Sequence, residues 1–276
     1  MPGFSRFLLA MINLTAALSI VRPADAAGTA ELYQAQTIVT GQGEVNRQIG
    51  FRDCLDRVLV RVSGDQRLPQ KPEMLALRDK AGDFVASFRY RDRLEGIPVH
   101  DEQGTHDRPH DLTCLYKPEV IDKLLTQLGS QPWLGARPRL SIVLAVDDSR
   151  RHFVLASDGD ESQYMIESFQ SAARPMAMSI VIPNKATLAK AGLIFEEVRA
   201  ISPELLGSTA ASIGSRQILA GSIVWSDKEL GWIADWRLKA GDDIYTWQVR
   251  GVSFDEAFRV AMRGAAQVLS GNGQPD

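Results

Sequence analysis

The sequence predicts an α+β protein of two small domains, each a mostly antiparallel sheet covered by helices. Three observations lead there. From Phe51, apolar residues recur at Cys54, Leu55, Val58, Leu59 and Val62, the spacing of a helix that buries one stripe. Late in the chain, "QILAGSIVW", "WIADWRLKA" and "DIYTWQVRG" follow one another at hairpin spacing, each rich in β-branched or aromatic residues. Between these regions "SQPWLGARP", residues 130–138, gathers two prolines and a glycine around Trp133 and reads as a stiff connector. The expected organisation is a leader over 1–26, a first domain over 27–130, the connector over 131–138, a second domain over 139–270 and a disordered tail over 271–276.

Each element has a local reason. "ELYQAQTIVTG" has the β-branched centre of a strand, and Gly41 and Gly43 end it before the amphipathic helix, which "RVSGD" closes with Gly64 suited to a left-handed stop. A helix is expected across residues 72–85, with Pro72 where a missing donor is tolerated, followed by the strand "VASFRYRDRL". After a polar stretch come the strand "DLTCLY" and the helix "KPEVIDKLLTQLG", with Val120, Ile121, Leu124, Leu125 and Leu128 along one side. The order β-α-α-β-β-α suggests helices laid on a small antiparallel sheet. In the second domain "RLSIVLAVDD" is a strongly apolar strand, with "HFVLA" as its hairpin partner. A helix over 163–173, the buried-type strand "MSIVIP" and a helix near "SPELL", capped by Ser202, precede the three late strands. The last helix opens with a capping box, Ser253 to Glu256. Trp232, Ala234, Trp236 and Leu238 share one strand face. Such a stripe could stack sugars, but aromatic burial beneath the closing helix is its usual use.

Arg6 precedes a mostly apolar run from Phe7 to Val21 that ends in "RPADAA", which is secretory grammar. With 15 residues, among them Asn13, Thr15 and Ser19, the run is short against the about 20 residues that cross a hydrocarbon core. Ala24 and Ala26 fit an A-x-A cleavage site, so the protein is expected in the periplasm with no membrane span after cleavage; an uncleaved anchor is the alternative. The leader takes away two arginines and one aspartate, leaving 29 basic against 33 acidic side chains. That balance argues against a nucleic-acid partner.

Only Cys54 and Cys114 occur, and both fall in the exported part. The helical stripe turns Cys54 inward, and the alternation Leu112, Cys114, Tyr116 puts the second thiol on one strand face. A bridge and two separately buried thiols both satisfy burial; the oxidising compartment favours the disulfide Cys54–Cys114.

Chemistry concentrates in "HDEQGTHDRPHD", residues 100–111, which holds three of the four histidines. His100, His106 and His110, with Asp107 and with Asp101, Glu102 or Asp111 nearby, could fold around an ion such as zinc. Yet Gly104 and Pro109 interrupt them, and "DEQG" and "DRP" are turn chemistry, so a solvated hairpin loop is the plainer reading. "SDGDES", residues 157–162, lacks the register of a calcium loop, and Asp147 and Asp148 after an apolar strand are explained by a turn as well as by a functional site. No G-x-S-x-G elbow, phosphate loop, H-E-x-x-H or C-x-x-C occurs, so no catalytic residue is assigned and a binding role ranks above an enzymatic one.

"CLDRVLVRVSGD", "FRYRD", "DLTCLYKPEVIDKLLTQLG" and "PWLGARPRLSIVLAV" together give the chain a familiar look. It resembles the bacterial domain-of-unknown-function family DUF2066 over most of residues 31–270, on the strength of "VLVRVSG" and of the "PW…RP" segment before an apolar strand. The resemblance implies export and no assigned catalysis. The sequence therefore leads to an exported binding or scaffolding module of the cell envelope, with an envelope protein or cell-wall polymer as partner, no nucleic acid and no cofactor. The alternative is a metal-binding protein or metal-dependent enzyme using the histidine stretch.

Overall fold

The computed structural model describes residues 31–97 and 107–275. The leader and His100, Asp101, Glu102 and His106 lie outside the described residues. Strand β1 (Gln34–Thr40) runs into the long helix α1 (Glu44–Ser63), which Gly64 ends in the left-handed conformation, φ 77°, with its N–H on the Val60 carbonyl. The helix expected over residues 72–85 is two short ones, α2 (Met74–Asp79) and α3 (Ala81–Phe84), because the backbone leaves helical geometry at Lys80, φ −110° and ψ 15°. Strands β2 (Val85–Asp92) and β3 (Pro109–Tyr116) and helix α4 (Pro118–Gln127) complete the first half.

The first sheet is antiparallel in the order β1-β3-β2. α1 covers one of its faces, burying Phe51, Cys54, Leu55, Val58, Leu59 and Val62 against Ala35, Val39, Leu112 and Cys114. Cys54 and Cys114 form a disulfide there, with Cα atoms 6.3 Å apart, so α1 is bonded to the central strand.

The second sheet is mostly antiparallel with a parallel centre, three of its five strand pairings being antiparallel. β4 (Leu140–Asp147) runs parallel to β7 (Ile218–Ser226) and to the two-residue β6 (Ile180–Val181), while β5 (His152–Val154), β8 (Gly231–Ala240) and β9 (Asp243–Val252) pair antiparallel, in the order β5-β4-β7-β8-β9. "MSIVIP" yields only this two-residue strand, with the Ser179 carbonyl accepting from Leu140 N–H just before it and Met178 and Ile182 packed in the core. Both sheet faces are covered. α5 (Gln163–Ala173) and α9 (Phe254–Leu269) lie on one, where Phe169, Trp236 and Phe258 meet with Leu144, Val146 and Ile223. Gly221 makes room for Trp236, since a Cβ there would stand 2.5 Å from its ring. α6 (Lys185–Lys190), α7 (Phe195–Arg199) and α8 (Leu206–Ser212) cover the other face through Leu188, Val198 and Leu206 against Val143, Ala145 and Ala220.

The molecule is thus α+β with two sheets. α1 touches both halves: Val60 sits in the larger core, the Val62 carbonyl accepts from Trp133 N–H at 2.8 Å, and the Ser63 carbonyl accepts from Asn272 at 2.9 Å. Residues 271–275, expected as a disordered tail, are tied to the body by that bond and by Gln274, which donates to the Thr246 carbonyl at 2.6 Å. No helix among the described residues is long and apolar enough to cross a membrane.

Candidate functional site

A two-residue period decides which side chains of the first sheet are free. On β1, Ala35, Thr37 and Val39 turn under α1, leaving Gln34, Gln36, Ile38 and Thr40 on the other face. Register continues that split across the sheet. Gln36 lies beside Thr113 and then Arg89, while Ile38 lies beside Asp111 and then Arg91. Among the described residues this face carries no covering helix.

Edge strand β1, the open face, the basic side of α1 and the segments 133–137 and 174–179 enclose a cleft of about 1400 Å³. Seven arginines and three carboxylates line it. α1 contributes Asp53, Arg57 and Arg61 at intervals of four, hence on one side, and Asp53 is fastened to β1 by the Thr37 hydroxyl. β2 contributes Arg89 and Arg91, with Arg93 just beyond its end. Arg137 comes from the connector and Arg174 from the turn after α5.

The charges do not cancel. Asp53 pairs with Arg57 at 2.9 Å, and Asp111, 9 % exposed, lies under Arg91 at 2.7 Å and Arg93 at 3.6 Å. Arg61 and Arg137 are held instead by main-chain carbonyls. Arg61 donates to Arg174 and Pro175, and Arg137 to Arg61 and Met176 while stacking on Trp133 at 4.1 Å. Carbonyls orient a guanidinium without neutralising it. Burial and the neighbouring Arg61 push Arg137 down to about 10; burial lowers Arg61 too, against the opposing charge of Glu31. The Arg61 Nε has no partner, and the Arg89 and Arg174 side chains have no polar partner among the described residues. The cleft is therefore a concentration of uncompensated positive charge on a chain whose net charge is −3.

The expected site residues fall elsewhere. His110 is buried on the covered face of β3, its Nδ1 2.8 Å from the Arg108 carbonyl and its Nε2 3.1 Å from the Gln42 amide, so both ring nitrogens are engaged within the fold. Asp107 packs its carboxyl over Gly41, φ 74°, where a Cβ would stand 2.5 Å from it. Asp111 belongs to the cleft. Among the described residues no group of three or more His, Cys, Asp or Glu could hold a metal ion. Asp147 and Asp148 serve a turn: Asp147 accepts from Ser149 N–H at 3.0 Å, and Asp148 accepts from Arg151 N–H at 2.7 Å. The Asp158 carboxylate accepts from Lys185 N–H at 2.8 Å, at the entry to α6.

Residues 26–134 match a family model described as a domain of unknown function, DUF8605. The expected resemblance to DUF2066 is thereby corrected. The segments that suggested it are a helix end stopped by Gly64 and a Pro-Trp connector, shapes dictated by local backbone needs rather than by one family's chemistry. The match takes in β1, α1 and the arginines of β2, and ends before Arg137 and Arg174. No curated protein and no solved structure matches the chain.

Proposed function

We propose that the protein is an exported binding module of the cell envelope whose arginine-lined cleft takes an anionic partner. One observation carries this reading: four of the seven arginines in the cleft, Arg61, Arg89, Arg137 and Arg174, have no carboxylate at ion-pair distance among the described residues. A guanidinium stays charged and supplies donors without taking up protons at neutral pH, so this lining suits recognition better than bond-making. The volume points the same way. It exceeds the roughly 300–1,000 Å³ usual for small-molecule pockets, which favours a stretch of polymer as the occupant. A zinc reading draws no support from His110, whose ring nitrogens are both taken.

Titration with inorganic polyphosphate tests the cleft, followed by the fluorescence of Trp133, the tryptophan beside Arg137. Arg89→Glu combined with Arg174→Glu changes two exposed, unpartnered side chains and leaves the cores alone. The double variant is expected to weaken binding at least about tenfold, and added salt to weaken binding to the unaltered protein. Affinity unmoved by both would overturn the reading. Export is tested by sequencing the N-terminus of the mature protein, which is expected to begin after Ala26.

A further inference from the structure

The two ends of the β1–β3 ladder fix the direction of every main-chain group in β1. At one end Tyr116 N–H donates to the Tyr33 carbonyl at 3.0 Å, and at the other Gly41 N–H donates to the Arg108 carbonyl at 2.7 Å. Both are odd positions of β1 and its flanks, opposite partners in the continuous register Gln34↔Leu115 to Thr40↔Pro109. In an antiparallel pair, hydrogen-bonded and non-hydrogen-bonded positions alternate. The odd residues of β1 therefore bond to β3, and Gln34, Gln36, Ile38 and Thr40 turn their N–H and C=O groups away from the sheet. The Thr40 carbonyl agrees, since it accepts from the Asn46 side chain.

That cap closes one end of the edge only. No hydrogen bond to the outward main chain of Gln34, Gln36 or Ile38 is made among the described residues, and all three line the cleft. An exposed row of donors and acceptors repeating every second residue, about 6.8 Å apart, is a template for another strand. Proteins usually blunt such edges with a covering element, a bulge or proline; here the edge faces open space instead.

We infer that β1 receives an extended acidic polypeptide segment as an added strand. This rests on the anionic-partner reading and narrows it to a class of partner and a mode of binding. The main chain of the segment would complete the ladder at Gln34, Gln36 and Ile38, the general mode by which peptides add to sheet edges. Its carboxylates would meet Arg57 and Arg61, which stand one and two turns along α1 from Asp53, the residue that the Thr37 hydroxyl fixes beside this edge. A second copy of this chain fits less well, because two copies meeting edge to edge would bring like-charged arginines together.

The test changes the ligand and leaves the protein intact. A short peptide alternating Glu and Val is titrated against the full chain, with two versions carrying N-methyl groups on the Glu amides or on the Val amides, and polyphosphate in parallel. Only alternate residues of an added strand face β1. One methylated version is expected to bind at least about tenfold more weakly while the other stays near the unmodified peptide. The amide protons of Gln36 and Ile38 should also exchange more slowly once the peptide is bound. If both methylated peptides bind alike, or polyphosphate binds and the peptide does not, the added strand is overturned while the anionic cleft stands. If neither probe binds, both readings fall. A peptide-free dimer that buries Gln36 and Ile38 would likewise overturn the added strand.

Discussion

The two sheets of this protein meet solvent differently. In the second, β4 is buried along almost its whole length because helices lie on both faces, and its side chains are nearly all hydrocarbon. In the first, α1 covers one face only, and β2 shows the result: Phe88 and Tyr90 turn toward α1 and β3's covered side, while Arg89 and Arg91 stay exposed. A sheet closed on both sides gives its face residues to packing. One left open on a face and along an edge can hold charge and unpaired main chain where a partner can reach them, and this is where the arginine cleft lies.

The comparison can be broken in four places. The largest effect is expected at the bridge, because the first sheet has one covered face and correspondingly less hydrophobic burial to rely on. Cys54→Ala with Cys114→Ala releases a loop of 60 residues and should lower the unfolding free energy on the order of 4 kcal/mol, read by urea denaturation. Two free thiols in the unreduced, denatured protein would contradict the bridge. Next comes Gly221→Ala in the closed sheet, which drives a methyl group into the Trp236 ring and should cost about 1–3 kcal/mol. Thr113→Ala, central on the open face, should change stability by less than about 0.5 kcal/mol; a larger loss would mean that something covers that face.

The smallest effect is a pH dependence. Desolvation alone would raise Glu256, but hydrogen bonds and charge from Arg263 and Arg259 together outweigh it and hold the carboxyl below its usual range. A depressed carboxylate contributes stability that is fully present above the unfolded value, near about 4.3, and is lost as pH falls through the lower folded value. The unaltered protein should therefore lose slightly more stability on acidification than Glu256→Gln does, as followed by thermal unfolding across that range.

Long periodic elements were legible in the sequence. α1, α4 and the late hairpins lie where apolar spacing places them, and the capping box of α9 is half realised: Ser253 accepts from Glu256 N–H at 3.2 Å, while the Glu256 carboxylate turns to arginines instead. α6 and α7 were missed because five or six residues give too few turns for a helical period to show. The histidine stretch attracted attention by composition, yet its one described histidine is packed into the fold. The cleft escaped notice because its arginines are scattered through sequence and converge only when α1, β2, the connector and the turn after α5 fold together. A local signal did exist. In "FRYRDR" the arginines at 89, 91 and 93 alternate with Phe88, Tyr90 and Asp92, which marks a strand with one basic face.

The position of the Cys54–Cys114 bridge has a mechanical consequence. Cys114 stands opposite Ala35, in the strand next to the edge, and Cys54 stands on the helix above. Tension drawn along β1 would load the β1–β3 ladder in shear, where several hydrogen bonds must fail together, and the sulfur link would pass that load from β3 straight into α1. Load on the edge would thus be shared among the ladder, the bridge and the helix.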